Sequence, residues 1–239
     1  MKLFFKIFIV IFVALLVIGS VFLYQGYNMY KEAISETSIN DKITDIKSDE
    51  NYITLSEVPD IFPKAIIAVE DHRFKEHGAI DIIAICRAIV SNIKAMELVE
   101  GGSTITQQVA KNLYFIEYND SPAIRKIAEI FLANDLENLY SKDDILELYM
   151  NTIYYGDGYY GIKEACKGYL NKEPKDMDIN ESTMMAGIPN APSVYAPTIN
   201  PDLTKKRQEK VIYSLVKYGY ITQEEADSIP DSLPQIVEK

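Results

Sequence analysis

An unbroken apolar run near the amino terminus constrains this chain more than any other feature of its sequence. Residues 7–24 are almost wholly apolar, and Lys2 and Lys6 precede them. A run of this length can cross the hydrocarbon core of a bilayer as one helix. Lysines beside such a helix favour the cytoplasmic side. We therefore predict a cytoplasmic segment at 1–6, a transmembrane helix at 7–24 and a folded part outside the cytoplasmic membrane.

A cleavable signal peptide is the competing interpretation of this run. The run is longer than the apolar region of most signal peptides, and no clean small-x-small cleavage pattern follows it. An uncleaved anchor therefore fits better. Residues 25–54 are polar, mixed in charge and weakly periodic, which is typical of a stalk or linker. We place the folded domain at 55–230 and a short tail at 231–239.

The composition narrows the remaining possibilities. A chain of 239 residues has room for an anchor and one domain of fair size. Its formal net charge of −11 argues against nucleic acid as a partner, because phosphate backbones are bound by clustered basic surfaces. Two cysteines, Cys86 and Cys166, are too few for a disulfide framework. An external location permits a bridge between them without requiring one, and we expect two separate buried thiols.

The stretch 101–108 reads GGSTITQQ and combines the features of a ligand-binding turn. Two glycines let the backbone approach a ligand closely, and Ser103 or Thr104 can cap a following helix. The threonine and two glutamines that follow place hydrogen-bonding groups on its first turns. Such a stretch suits an anion or a sugar, and a plain loop before an N-capped helix is the alternative.

An apolar segment that begins near Pro63 carries two carboxylates at its end, Glu70 and Asp71. Proline suits the first turn of a helix, and the apolar residues after it predict a buried segment. Burial disfavours the charged form of a carboxylate and so suits it to proton transfer near neutral pH. Glu70 is thus a candidate general base or acid. A surface pair that caps a core helix is the alternative.

Ser121 and Pro122 mark the start of another helix, which carries three charged residues on one face. Arg125 lies four residues before Glu129 and Lys126 lies three before it, so the side chains are neighbours. Ordinary ion pairing on a helix surface explains most such triplets.

The remaining segments are helical, with little strand signal. Capping-box patterns at Ser141 and Thr222 predict two helix starts, and 202–218 reads as a further helix. The prolines of 189–197 predict an extended, rigid loop. The predicted fold class is therefore mainly α, preceded by one N-terminal transmembrane helix.

Five stretches, in order, resemble the signatures of the peptidoglycan glycosyltransferases, membrane enzymes that polymerise lipid II into glycan strands. They read EDHRFKEHGAID, GGSTITQQVAKNL, RKIAEIFLANDLE, ILELYMNTIYYGDGYYGIKEACKGYLNK and MAGIPNAP. The resemblance spans about residues 55–227. It implies a lysozyme-like helical domain with two lobes.

The resemblance also implies roles for individual residues. Glu70 and Glu129 would be the catalytic residues, with Glu70 as the general base and Glu129 in the donor site. The residues implied in binding the substrate and its diphosphate are Lys111, Arg125, Lys126, Ser103, Thr104, Thr106, Gln107 and Gln108. Those implied in support are Asp71, Phe74, His77, Asp81 and Asn151. A divalent cation, Mg²⁺ or Mn²⁺, is expected to help neutralise the diphosphate, without assigned ligands.

Three positions and one stretch depart from the family's pattern. Lys75 stands where an aromatic residue is common, and Ala79 replaces a frequent glycine. Asp135 stands where a basic or neutral residue is frequent, and the stretch 115–120 lacks an arginine often found there. Fewer positive charges predict weaker binding of the donor, or a larger share of that task for Lys111 and a cation.

The reaction implied by the resemblance is an inverting glycosyl transfer. The donor is the growing glycan chain on undecaprenyl diphosphate, and the acceptor is lipid II, whose sugar hydroxyl attacks the donor's anomeric carbon. Expected partners are these lipid-linked substrates, the membrane, and cell-wall synthesis or divisome proteins. The amphipathic segment 82–98 would by default pack on the core. The resemblance implies instead that it belongs to a membrane-touching region beside the acceptor site. Too few residues follow the signatures for a transpeptidase domain, which predicts a monofunctional enzyme.

Three other interpretations stay open. A lytic enzyme of lysozyme-like fold would also centre on one glutamate, but it would not need Lys111 or the Arg125–Lys126 pair. A non-catalytic, membrane-anchored scaffold that binds lipid II or divisome partners fits the depleted basic positions. An interaction protein held only by its membrane helix would leave the five signatures unexplained.

Overall fold

The computed structural model describes residues 2–97, 101–118 and 121–237. The described chain is 69% helical without a strand, which confirms the prediction of a mainly α fold. Its α-helices are α1 (Lys2–Glu36), α2 (Ile39–Lys47), α3 (Ile61–Glu70), α4 (Ile82–Ala95), α5 (Ile105–Ala110), α6 (Pro122–Leu139), α7 (Lys142–Thr152), α8 (Ile162–Leu170), α9 (Ile179–Gly187), α10 (Pro192–Tyr195), α11 (Pro201–Lys217) and α12 (Gln223–Asp227). A π-helical turn at Lys111–Phe115 continues α5.

Capping side chains set where several of these helices begin. Thr104 accepts a hydrogen bond from the Gln107 amide at 3.2 Å and starts α5. Capping boxes at Ser141 and Thr222 start α7 and α12. Each cap pairs an amide that the first helical turn leaves without a partner. The helix starts predicted at these positions are confirmed.

The helices pack in two groups that share one hydrophobic core. α3, α9 and α11 form one group, and α5, α6 and α7 form the other. Fully buried aromatic rings fill the core, among them Phe62, Phe115 and Tyr149. This arrangement agrees with the two lobes implied by the resemblance. Because α3 ends at Glu70, the first group delivers that carboxylate to the boundary with the second.

α1 continues well beyond the membrane-spanning run. Within the described ranges it is the one helix long and apolar enough to cross a bilayer. The stalk predicted at 25–54 is replaced by packed helix: Met29, Tyr30 and Ala33 are buried against the domain, and Ile43 of α2 joins its core. Their spacing along α1 is helical, but the polar residues between them mask the apolar stripe in the sequence.

The segment rich in proline is the second difference from the sequence expectation. Instead of an extended loop, the chain forms a 3₁₀ turn at Ile188–Asn190 and then α10. Each turn has a proline at its first or second position, where no amide donor is required. Proline here begins helical turns rather than preventing them.

The two cysteines are separate thiols, as predicted, but the prediction that both are buried is wrong for Cys86. Cys86 is exposed on α4, whereas Cys166 is buried with its Sγ 3.4 Å from the Sδ of Met177. Burial raises the pKa of the Cys166 thiol well above its usual value. Cys166 is therefore an unreactive core residue.

Asn151 joins α7 to the segment that follows α2. Its side-chain carbonyl accepts from the Ile53 amide, and its amide donates to the Ile53 and Glu147 carbonyls, each at 2.8 Å. Replacing Asn151 by alanine leaves these groups without partners, so we expect the free energy of unfolding to fall by about 2–3 kcal/mol. Urea unfolding of the full chain in detergent measures this change.

The matched control is Asn138→Ala, at an exposed position of α6. It should change the free energy of unfolding by less than about 0.5 kcal/mol. Equal stability of the two variants would contradict the structural role of Asn151.

Candidate active site

Glu70 is the last residue of α3 and lines a cleft between the two helix groups. Its Oε1 accepts a hydrogen bond from Arg207 Nη2 at 2.6 Å, and its Oε2 accepts one from Gln108 Nε2 at 3.2 Å. Only 7% of the Glu70 side chain and 5% of the Arg207 side chain are exposed. A bonded guanidinium stabilises a carboxylate in its charged form, which is the form that accepts a proton.

The cleft around Glu70 is basic although the whole chain is acidic. Its volume is about 770 Å³, and seven Lys or Arg residues line it against two Glu residues. We call Lys111, Arg125 and Lys126 the α6-side cations, and Arg207, Lys210 and Lys217 the α11 cations. Glu70 accepts hydrogen bonds from Gln108 of α5 and from Arg207 of α11, so it lies between the two sets of cations.

Two of the α6-side cations, Arg125 and Lys126, are held by Glu129, which is buried. Lys126 Nζ donates to Glu129 Oε2 at 3.0 Å and to Ser103 Oγ at 2.9 Å, and Arg125 Nε lies 3.5 Å from Glu129 Oε1. Lys111 is exposed and makes no ion pair with a described residue. The ion pairs that the sequence suggested as an alternative do exist. Their cations nevertheless line the cleft, where the resemblance implies binding of the diphosphate.

The α11 cations were missed by the sequence reasoning. Arg207, Lys210, Ser214 and Lys217 all line the cleft, and their spacing of three and four residues places them on one face of α11. Arg207 is anchored further by its Nε, which donates to the Gly187 carbonyl at 3.2 Å. Their spacing of three and four residues was the signal in the sequence that could have identified them.

His72 lies at the rim of the cleft, two residues after Glu70. Its ring stacks on Tyr218 with the centroids 4.2 Å apart, and its Nε2 lies 3.2 Å from Arg87 Nη1. Burial and then the charge of Arg87 lower the pKa of His72 below its usual value. The ring is therefore neutral at physiological pH and connects α4, through Arg87, to the end of α11.

Three of the predicted supporting residues stabilise the loop after Glu70. Asp71 accepts from the Ile105 amide at 3.1 Å and lies 2.8 Å from His77 Nε2, which ties α3 to the start of α5. Asp81 accepts from the amides of Ile83 and Ala84 and so caps α4. Burial opposes ionisation of Asp81, but these amides and the nearby arginine hold its pKa below the usual range.

The structure separates the residues of the second signature by role. Gln108 and Ser103 contact Glu70 and Lys126, the groups proposed for the chemistry. Thr104 and Gln107 both donate to the Ala79 carbonyl, at 3.0 and 2.8 Å, and brace the loop.

Three other predicted residues do not line the cleft. Thr106 donates to Glu137 on α6. Phe74 is buried beneath Lys142, whose Nζ lies 4.3 Å from its ring centre. Asn151 bonds Ile53, as described above.

Asp135 does not line the cleft and instead accepts a hydrogen bond from the Tyr30 hydroxyl of α1. The expectation of weaker donor binding stays a prediction. The stretch 115–120 falls partly outside the described residues. Its described carbonyl at Tyr118 accepts from Arg125 Nη1 at 3.5 Å.

Both glutamates of the cleft are already paired with cations. The cluster Asp71, His77 and Asp81 brings its ligand atoms within 4.8 Å of one another. Asp71 and His77 are engaged in the loop contacts above, whereas the buried Oδ2 of Asp81 has no hydrogen-bond partner. The prediction of Mg²⁺ or Mn²⁺ therefore stays a prediction, and no step below depends on it.

Comparison with known proteins adds independent evidence. A family model described as Transglycosylase matches residues 37–216. Penicillin-binding protein 1F of Bacillus subtilis (strain 168) is 39% identical over 236 residues, 94% of this chain and 33% of that protein. Penicillin-binding protein 1A of Neisseria lactamica is 38% identical over 199 residues, 82% of this chain and 25% of that protein. A crystal structure of penicillin-binding protein 1A from Haemophilus influenzae covers 41% of this chain and 15% of that chain, with 30% identity and a TM-score of 0.39.

The chain spans a third or less of the length of these two curated relatives. The matched range nevertheless contains Glu70, Glu129, the α6-side cations and Arg207, so it includes the centre of the cleft. On this match the chain belongs to the transglycosylase family.

Proposed function

We propose that this chain polymerises lipid II into peptidoglycan glycan strands by inverting glycosyl transfer. One observation carries the proposal: the buried carboxylate of Glu70 lies between two sets of cations in one cleft. Two phosphate-bearing substrates can then be held on either side of one base. Membership of the transglycosylase family supports the same reaction class.

Glu70 is the proposed general base. The acceptor's sugar hydroxyl gives its proton to Glu70 while its oxygen bonds to the donor's anomeric carbon. The carbon–oxygen bond to the diphosphate breaks, and the diphosphate leaves with the electron pair. We assign proton transfer to Oε2, because its bond to Gln108 is longer than the Arg207 bond to Oε1. General base catalysis of this kind contributes about 10²–10⁴-fold in rate.

The α6-side cations are the proposed donor site. Negative charge builds on the departing diphosphate, and donors positioned before the reaction stabilise it best. Glu129 fixes Arg125 and Lys126 in place, since it bonds both. The same pairing argues against a retaining hydrolase, because a second carboxylate tied to two cations is poorly suited to act as a nucleophile.

The α11 cations are the proposed acceptor site, which would hold the phosphates of lipid II. α4 lies beside them through the contact between Arg87 and His72. It exposes a row of apolar side chains, namely Ile82, Ile83, Ile89, Val90 and Ile93. An apolar face of this kind suits the membrane interface from which a lipid-linked acceptor arrives. The orientation we propose places the cleft on the extracytoplasmic side, consistent with the lysines before the membrane run.

Incubation of the full chain with labelled lipid II in detergent tests the proposal. Resolving the products by length should show glycan polymer. Shortening of purified sacculi without polymer would instead indicate a lytic enzyme. Binding of lipid II by a folded protein that makes no polymer would indicate a scaffold.

The finer expectations remain proposals. Cell-wall or divisome partners are proposed only as a class. Detection of a β-lactam-reactive segment on the native protein would contradict the monofunctional expectation.

A further inference from the structure

α1, which carries the apolar run, and α6, which carries Arg125 and Lys126, lie against each other in a defined register. Gly26 of α1 faces α6 so closely that a Cβ at this position would lie 2.5 Å from Ile127 Cγ2 and 3.0 Å from the Ile124 carbonyl oxygen. No larger residue fits without separating the helices. Gly26 therefore sets a point of closest approach.

Aromatic contacts continue the same interface one turn further on. Tyr27 and Tyr30 pack on Phe131, with ring centroids 5.3 and 5.8 Å away. The Tyr30 hydroxyl then donates to Asp135. Because the contacts advance along both helices together, α1 and α6 run in the same direction.

The sequence marks where α1 leaves the bilayer. The apolar run ends at Tyr24, and Tyr24 and Tyr27 remain exposed. Tyrosines concentrate at the level of the lipid headgroups. Gly26 lies two residues beyond Tyr24, a rise of about 3 Å along a helix. The contact at Gly26 is therefore at the membrane surface.

The contact between α1 and α6 fixes how far the donor site lies from the membrane surface. Ile124 and Ile127, the residues beside Gly26, flank Arg125 and Lys126 in the sequence of α6. These two cations then lie at headgroup level, with the start of α6 directed toward the bilayer. A diphosphate attached to a membrane lipid is held at that same level.

We propose that the α1–α6 contact is a register device that holds Arg125 and Lys126 at the level of the outer lipid headgroups. Gly26 and the Tyr30–Asp135 hydrogen bond are its positioning residues. The proposal rests on the proposed function, in that the donor phosphate is membrane-bound. It also gives Asp135, which does not line the cleft, a role in positioning α6 against α1.

A depth measurement tests the register without turnover. A fluorophore on Ala123→Cys, at an exposed position in the first turn of α6, is reconstituted in vesicles that carry headgroup spin labels. Cys86→Ser removes the exposed native thiol, while Cys166 is buried. We expect strong quenching at position 123. A label on Asn138→Cys lies about 22 Å further along α6 and should be quenched weakly.

Variants of α1 connect depth to catalysis. Gly26→Leu should reduce quenching at position 123 and lower kcat/KM for lipid II in vesicles by about tenfold or more. Gly19→Leu is the matched control, because nothing lies within 4 Å of a Cβ there. In detergent, where no bilayer sets the height of the substrate, the loss should be smaller. A variant that was merely unstable would lose activity equally in both media.

The hydrogen bond has its own pair of variants. Tyr30→Phe should reduce the quenching at position 123 and the activity in vesicles by part of the amount expected for Gly26→Leu. Tyr27→Phe should reduce neither. Asp135→Asn keeps an acceptor for Tyr30 and should retain the vesicle activity that Asp135→Leu loses.

The outcomes separate the two proposals. Unchanged quenching and unchanged vesicle activity in Gly26→Leu would overturn the register device while leaving polymerisation intact. Headgroup-level quenching in a wild type that makes no polymer would support the register and contradict the proposed function.

Discussion

Replacing Glu70 by glutamine is expected to lower the rate of lipid II polymerisation by about 10²–10⁴-fold, because the cleft then lacks its base. Glutamine keeps the size of the side chain, so the fold and the substrate sites should survive. Single-turnover polymerisation, with binding of lipid II measured in parallel, separates the loss of chemistry from a loss of affinity.

A matched control replaces the second cleft glutamate. Glu129→Gln should leave the base intact and act through the positions of Arg125 and Lys126, so its main effect should be on donor affinity. Polymerisation by Glu70→Gln at more than a tenth of the wild-type rate would contradict the assignment of the base.

Removal of the Arg207 guanidinium is expected to have the next largest effect. In Arg207→Leu the buried Glu70 loses its ion-pair partner and the hydrogen bond that orients its Oε1, which leaves a buried charge uncompensated. A base that is no longer held in position accepts the acceptor's proton poorly, so we expect kcat/KM to fall by about 10²-fold or more.

The conservative variant Arg207→Lys tests whether charge explains this effect. It keeps a cation near Glu70 Oε1 and should recover part of the activity with a pH–rate profile close to that of the wild type. An Arg207→Leu variant with wild-type activity across pH 6–9 would show that Glu70 does not depend on this pair.

The residues that sequence reasoning placed correctly are those with local signals. Glu70 ends an apolar helix, and Arg125, Lys126 and Glu129 fall within one turn of α6, so spacing alone makes them neighbours. Thr104 and Ser141 are caps that act within their own first turns. Such features need no knowledge of tertiary structure.

Arg207 could not be assigned in this way. Its bond to Glu70 joins residues 137 positions apart, and only packing of α11 against α3 brings them together. The cationic spacing of α11 was visible, but Lys205 and Lys206 add charge on other faces of the same helix. The sequence alone does not tell which face meets the cleft.

The segment after the membrane run was misread for a related reason. Its polar residues face solvent on one side of α1, while Met29, Tyr30 and Ala33 pack against the domain on the other. A partner helix, α6, is required to make that stripe a core. Periodicity in a mixed segment becomes interpretable once the partner surface is known.

The claim that two phosphate groups are held separately on either side of Glu70 is tested most directly with distinguishable substrates. A glycan on undecaprenyl diphosphate whose terminal hydroxyl is blocked can act only as donor, and lipid II then serves as acceptor. Initial rates over both concentrations give a KM for each. We predict that Lys126→Ala raises the donor KM by about tenfold and Lys217→Ala raises the acceptor KM by a similar factor, each leaving the other nearly unchanged. Equal changes in both KM values for both variants would contradict the two-site account.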